Sequence, residues 1–121
     1  MCFIVDFGKM FSIPREPSTL LSPGQNFELA IPQGQRVLIT DIYVENMGGG
    51  TSTLTLLEQR APNAFEVRYS FRNAAQQVTS ISFTTGLRLG DETVIVGNIR
   101  IENDSSSQAD ILPRVNGILV G

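Results

Sequence analysis

Apolar and polar residues alternate with a period of two along much of the chain. The clearest case is AFEVRYSFR, residues 64–72, in which Phe65, Val67, Tyr69 and Phe71 alternate with polar residues. Successive side chains of a β-strand point to opposite faces of its sheet, so this pattern predicts a half-buried antiparallel strand with its four large apolar groups on one face. A helical period of 3.6 is hard to find anywhere.

Two neighbouring stretches extend this pattern. In RVLITDIYVEN, residues 36–46, both parities carry apolar residues, which leaves two interpretations open: both faces are covered, or a bulge switches the phase midway. In TSTLTLLEQR, residues 51–60, Leu54 and Leu56 share one face and Leu57 lies on the other. The glycine-rich link NMGGGTS between the two stretches predicts a hairpin tip.

The second half of the chain contains three further strand patterns. Ile81, Phe83, Leu87 and Leu89 share one parity, so the segment from Thr84 to Gly86 is predicted to bend a continuous strand, and the true turn is placed at Gly90–Asp91. TVIVGNIRIEN follows as a strand, and the chain ends in ILPRVNGILVG, whose Pro113 indicates an edge strand or a starting position.

About seven or eight such strands separated by turn residues predict an all-β fold, a two-sheet antiparallel sandwich of the jelly-roll kind. We assign residues 27–121 to this domain and residues 1–26 to an N-terminal strand and proline-rich arm. The apolar strand CFIVDF, residues 2–7, is expected either to close the sheet of its own domain or to swap into a neighbouring copy.

Composition excludes several kinds of chemistry. The chain has no His and one Cys, which removes Ser-His-Asp and Cys-His sites, His-based and thiolate zinc sites, and internal disulfides. No phosphate-loop motif is present. We therefore expect no catalytic residue, no cofactor-binding residue and no enzyme activity. With a net charge of −3 and scattered arginines, the chain lacks the basic face that nucleic acids require.

The first ten residues, MCFIVDFGKM, have no basic region ahead of their apolar cluster and carry an Asp inside it. Neither a signal peptide nor a transmembrane segment is expected, so synthesis in a cytoplasm is favoured.

One loop carries possible metal ligands. The segment Glu102–Asp110 offers several oxygen donors of the kind that calcium takes, but it lacks the central Gly and terminal Glu of an EF-hand loop. The same residues are typical of a solvated β-turn, which we favour over structural calcium.

The stretch FTTGLRLGDETVIV, preceded by IPQGQRVLITDIYVEN and closed by VNGILVG, resembles small β-sandwich modules of phage structural proteins and related bacterial surface proteins. The shared features are the Ile31–Gly34 turn, the Phe83–Leu89 segment and the Gly117–Val120 strand. The resemblance implies a jelly-roll-like module that often trimerises and serves as a capsid decoration, head-fibre or tail-associated protein. It implies no catalytic residue.

Two functions follow as hypotheses. The first is a non-enzymatic virion structural protein, made in the host cytoplasm and forming a homotrimer that binds other virion proteins; its expected subunit contacts are Phe3, Ile4, Val5, Phe7, Phe11 and Ile13. The alternative is a carbohydrate- or receptor-binding sandwich with a site built from Tyr43, Tyr69 or the polar turns. The low charged fraction of 17% favours a surface that meets another molecule in either case.

Overall fold

The alternating segments form β-strands. The computed structural model describes residues 9–14, 19–31, 36–89, 98–105 and 109–120, and within these ranges it has eight strands. In chain order they are β1 Lys9–Ile13, β2 Asn26–Ala30, β3 Arg36–Asn46, β4 Ser52–Ala61, β5 Ala64–Asn73, β6 Val78–Leu89, β7 Asn98–Asn103 and β8 Ile111–Val120.

The strands form two antiparallel sheets, which we name sheet A (β1-β8-β3-β6) and sheet B (β2-β7-β4-β5). Each strand pairs with its counterpart counted from the other end of the chain: β1 with β8, β2 with β7, β3 with β6 and β4 with β5. The chain is thus one long hairpin, turned between β4 and β5 and rolled into two layers, which is the arrangement of a jelly roll. The predicted fold is confirmed.

The core between the sheets consists of aliphatic side chains at alternate strand positions. Burying one such side chain stabilises the fold by roughly 1.5–3 kcal/mol, so this layer is the main favourable contribution to folding. Its fully buried members include Val37, Ile39, Ile42, Val44, Leu54, Leu56, Leu89, Ile99, Ile101, Ile111 and Val115.

Strand β3 changes phase at Thr40. Its pairing with β8 shifts between Ile39 and Asp41, so odd-numbered side chains point inward before the shift and even-numbered ones after it. Of the two interpretations left open by the sequence, the bulge is correct. As a result, three polar or amphipathic side chains share the outer face of sheet A, namely Asp41, Tyr43 and Glu45.

Strand β6 is continuous, as predicted, and it bends at Gly86, where φ is +82°. From Ser82 to Leu87, β6 advances by five residues, whereas its partner β3 advances by two, from Ile39 to Asp41, so β6 bulges at this point. A Cβ at Gly86 would lie 2.5 Å from the side chain of Leu38, so glycine is needed for both conformation and space. The side chains that were predicted to point inward do so on both sides of this bulge, but the number of extra residues in the bulge was not predicted.

The prediction that β5 places four apolar groups on one face is wrong. Leu56 pairs with Tyr69 and the next residue, Leu57, pairs with Val67, so Arg68 is the extra residue of a bulge. Tyr69 and Phe71 therefore face the core, whereas Val67 and Phe65 lie on the outer face of sheet B.

The glycine-rich link between β3 and β4 is not a hairpin tip, which corrects the prediction. Both edges of β3 are already paired, with β6 and β8, so the chain crosses to sheet B. Buried Asn46 steadies this crossing: its Nδ2 donates to the carbonyl of Gly50 at 2.8 Å, and its Oδ1 accepts the N–H of Gly48 at 2.9 Å.

Strand β8 lies inside sheet A, not at an edge as Pro113 suggested. The pairing of β8 with β1 ends at Val115, however, so Pro113 faces only Val44 of β3. Proline is tolerated there because no ladder hydrogen bond is required from it on the open side.

Part of the predicted arm belongs to the sandwich. Strand β1 is an edge of sheet A, and Leu21 is 1% exposed and exchanges backbone hydrogen bonds with Ile111. The segment CFIVDF lies outside the described residues, and the domain boundary at residue 26 stays a prediction. In the described part of the chain, no helix is long and apolar enough to cross a membrane.

Candidate functional site

A row of polar side chains crosses the outer face of sheet A. Ser12 of β1 lies opposite Asn116 of β8, which lies opposite Asp41 of β3. Ser12 Oγ donates to Asn116 Oδ1 at 2.6 Å, and Asn116 Nδ2 donates to Asp41 Oδ2 at 2.7 Å. Thr40 Oγ1 donates to the other carboxylate oxygen at 2.9 Å. We call these four residues the Asp41 row; each is held by its neighbours before any ligand arrives.

Arg114 and Tyr43 lie opposite each other, one step along the same face. Arg114 Nη2 donates to Ser12 Oγ at 3.4 Å, and the 37%-exposed Tyr43 donates its hydroxyl to Glu45 Oε1 at 3.3 Å. The pKa of the Tyr43 phenol is raised above its ordinary value of 10.0, first by desolvation and then by the Glu45 carboxylate. The phenol is therefore neutral at pH 7.

A shallow depression of about 280 Å³ lies at the β1 end of the row and is lined by Met10, Phe11, Ser12, Arg114 and Asn116. Met10 is 80% exposed and adds apolar surface beside the polar groups. No group of three His, Cys, Asp or Glu side chains in the described ranges could hold a metal ion. The depression and the adjoining Asp41 row offer hydrogen-bond donors and acceptors, an aromatic ring and the Arg114 cation, a combination that suits ligand binding.

The expected subunit contacts fall into two groups. Ile13 is 2% exposed and lies in the core, and the half-buried ring of Phe11 covers Gly117, where a Cβ would lie 2.6 Å from Phe11 Cζ. Both side chains are thus used within the chain. The remaining four lie outside the described residues: Phe3, Ile4, Val5 and Phe7. A role for the set as subunit contacts stays a prediction.

The two tyrosines proposed for a carbohydrate site are placed differently. Tyr43 lies on the outer face of sheet A, on a strand and not on a loop. Tyr69 faces the core, where its ring meets Phe83 edge-on at 5.2 Å and Phe71 at 6.0 Å. Of the two, Tyr43 is the one that a ligand on this face can contact.

The loop considered for calcium is organised around Asn103, whose side chain is fully buried. Its Nδ2 donates to the carbonyls of Leu21 and Ala109, both at 2.8 Å. Asp104 Oδ2 accepts the hydroxyl of Thr55 at 3.1 Å. Ser106 and Gln108, two of the proposed donors, lie outside the described residues. In the described part, the polar groups of this loop tie it to the sandwich.

The outer face of sheet B carries a second polar network. Arg100 binds Glu28 at 2.9 Å and Glu102 at 3.4 Å, and its guanidinium lies 3.8 Å from the centre of the Phe65 ring. The Asn98 side chain donates to Glu28 at 2.6 Å. This hydrogen bond is the largest cause of the lowered pKa of Glu28, which burial opposes and Arg100 reinforces. Because the Arg100 guanidinium is paired with both carboxylates and with the Phe65 ring, we interpret the network as stabilising sheet B.

Sequence reasoning missed most of the Asp41 row. Ser12 and Asn116 are 104 residues apart, and Asp41 is 75 residues from Asn116. No local motif connects them. The one available signal was the alternation of polar and apolar residues in β8, which indicates that Arg114 and Asn116 share the outer face of their sheet.

Comparisons with known proteins bear on the fold. No protein-family model matches the chain, and no curated protein is similar to it in sequence. One similar solved structure is that of PirA, with a TM-score of 0.51 and 10% identity over 89% of this chain and 92% of that chain. At such identity the likeness shows a shared β-sandwich fold and no function.

Two further solved structures are more distant. Truncated AlyQ with CBM32 and alginate lyase domains has a TM-score of 0.46 and 18% identity over 84% of this chain and 26% of that chain. CBM32 of AlyQ in complex with 4,5-unsaturated mannuronic acid has a TM-score of 0.45 and 17% identity over 84% of this chain and 77% of that chain.

Proposed function

We propose that this chain is a non-catalytic glycan-binding module and that the outer face of sheet A is its binding surface. The observation that carries the proposal is the Asp41 row with Tyr43 and Arg114 beside it. A sugar presents hydroxyl groups that both donate and accept hydrogen bonds, and it presents C–H faces that pack on aromatic rings. The face offers a partner for each of these groups.

The row is suited to this task because it is preorganised. Asp41 is held at both carboxylate oxygens, by Asn116 and by Thr40. A ligand that binds there does not have to immobilise flexible side chains, which would otherwise cost roughly 0.5–1.5 kcal/mol for each one. Charge-assisted hydrogen bonds to Asp41 and Arg114 are stronger than those between neutral groups.

The test is a glycan array with the wild-type chain, followed by calorimetric titration of the best ligand. Tyr43→Ala and Asp41→Asn should each weaken binding by about tenfold or more, equivalent to about 1.4 kcal/mol. Arg72→Gln is the matched control, because Arg72 is exposed on the outer face of sheet B, opposite Thr53. Absence of any glycan signal, or equal losses in the control, would overturn the proposal.

The virion hypothesis stays a prediction from the sequence. Four of its six contact residues precede the described part of the chain, and no described contact favours it over glycan binding. A mass measurement in solution addresses its homotrimer directly.

A further inference from the structure

Arg114 differs in its partners from three other arginines. Arg60, Arg68 and Arg100 each form an ion pair with a glutamate. In the described part of the chain, no carboxylate lies within 4.0 Å of the Arg114 guanidinium, and its one side-chain hydrogen bond there is the 3.4 Å contact with Ser12 Oγ. A guanidinium carries five N–H donors in a planar fork. Most of this donor capacity has no acceptor among the described residues, and Arg114 lines the depression.

The described charged side chains on the outer face of sheet A include more arginines than carboxylates, although the carboxylates lie nearer to Arg114: Asp41 and Glu45 flank Tyr43, which pairs with Arg114, whereas Arg36 pairs with Val120. Three arginines lie on the outer face of sheet A, one each from β3, β6 and β8: Arg36, Arg88 and Arg114. They face two described carboxylates, Asp41 and Glu45, and both of these already accept hydrogen bonds. Among the described residues, this face thus carries more positive than negative charge, although the whole chain has a net charge of −3.

The side chains beside Arg114 indicate which other chemical groups an anionic ligand would present to this face. Arg114 shares the depression with Asn116 and Ser12 and lies directly opposite Tyr43. A carboxylate that binds the guanidinium in a bidentate manner would carry its attached sugar ring towards these residues. The hydroxyl groups of that ring would then meet the Asp41 row.

Resting on the proposed glycan-binding function, we infer that the ligand is a carboxylated glycan of the uronate class and that Arg114 binds its carboxylate. Arg114 is then the residue that determines specificity for acidic over neutral sugars. Arg88 and Arg36 contribute long-range attraction along the same face. Their contribution is screened by salt, because the Debye length is about 8 Å at physiological ionic strength.

The probe is a matched pair of ligands: oligogalacturonate and the same oligosaccharide with its carboxylates methyl-esterified. We expect the acid to bind about tenfold or more tightly than the ester. Arg114→Gln should remove this preference, and Arg114→Lys should restore part of it, because lysine keeps the charge and loses the bidentate fork. Arg72→Gln on sheet B should leave the preference unchanged. Melting temperatures of all variants verify that each is folded.

The outcomes separate this inference from the proposed function. If neutral glycans bind and depend on Tyr43, and no acidic glycan binds more tightly, the acid specificity is wrong and the glycan module stands. If inorganic polyphosphate binds as tightly as oligogalacturonate, or if Arg72→Gln weakens oligogalacturonate binding as much as Arg114→Gln does, the surface attracts polyanions in general and the inference is wrong. If neither neutral nor acidic glycans bind, both proposals fail.

Discussion

Asn103 offers the sharpest test of how the loop end of the sandwich is held together. Its buried side chain donates to the carbonyls of Leu21 and Ala109 and accepts the N–H of Ser105 at 3.2 Å. Asn103→Ala removes these three hydrogen bonds to backbone groups and a fourth, which Asn103 Oδ1 accepts from the Ser105 hydroxyl. The carbonyl of Leu21 retains one other donor, the N–H of Ile111. At about 1 kcal/mol for each of the three lost bonds to backbone groups, we expect the free energy of unfolding to fall by about 3 kcal/mol.

Such a loss is large against a total stability of about 5–15 kcal/mol, and it corresponds to a melting temperature lower by about 10 °C. Urea unfolding monitored by circular dichroism measures it. Asn26→Ala, at an exposed position of β2, is the control and should change stability by less than about 0.5 kcal/mol. A loss in Asn103→Ala no greater than that of the control would refute the reasoning.

Asn103→Asp tests the direction of the hydrogen bonds. The substitution replaces the donating amide with a second oxygen that faces two carbonyls, so the ionised form is disfavoured in the folded state. The pKa of this carboxyl is then raised on folding, and the destabilisation must grow as the pH rises above about 4. We expect Asp to be worse than Ala at pH 7 and to recover partly at pH 4. Equal stability of Asp and Ala at pH 7 would show that the donors are not needed.

Three further predictions concern other parts of the chain. Gly86→Ala should lower the free energy of unfolding by about 2 kcal/mol or more in urea, and Gly24→Ala by less, because both have φ near +82° but a Cβ at Gly24 meets nothing within 4 Å. The pKa of Glu28 is lowered in the folded protein, so the stability that its ionised form contributes is fully present above pH 4.5 and is lost as the pH falls through the folded-state pKa. Glu28→Gln should therefore lower the free energy of unfolding at pH 7 and make that free energy fall less steeply at acidic pH. Removing residues 1–8 should leave a folded domain by circular dichroism, whereas removing residues 1–13 also deletes β1 and should unfold it or expose its core to dye. A folded 1–13 deletion would contradict the role assigned to β1.

The strands and their inward faces could be predicted where alternation is local. Leu54, Leu56, Ile99 and Ile101 are buried as their parity indicates, because a regular strand needs no information from its partners. The bulge in β3 was one of two interpretations that its sequence left open, whereas the bulges in β5 and β6 were not predicted, since each is a mismatch between two strands. At Arg68 this mismatch reverses the faces of Phe65 and Val67.

The candidate site was less accessible to sequence reasoning than the fold. Tyr43 was one of the two tyrosines considered for a carbohydrate site, but the residues beside it, Arg114 and Asn116, are ordinary polar residues of a distant strand. Only the pairing of β3 with β8 brings them together. Tyr69 faces the core because β5 pairs with β4, where it lies opposite the buried Leu56, a distinction that its local alternation did not reveal.

The pairing of first with last strands has a consequence for synthesis of the chain. β8 is synthesised after the other seven described strands, yet it lies between β1 and β3 in the middle of sheet A. Until residues 111–120 leave the ribosome, β1 lacks its only described neighbour and β3 has one unpaired edge. Sheet A is therefore completed only after β8 has been synthesised, and shortened chains that lack β8 expose strand edges that are prone to aggregate.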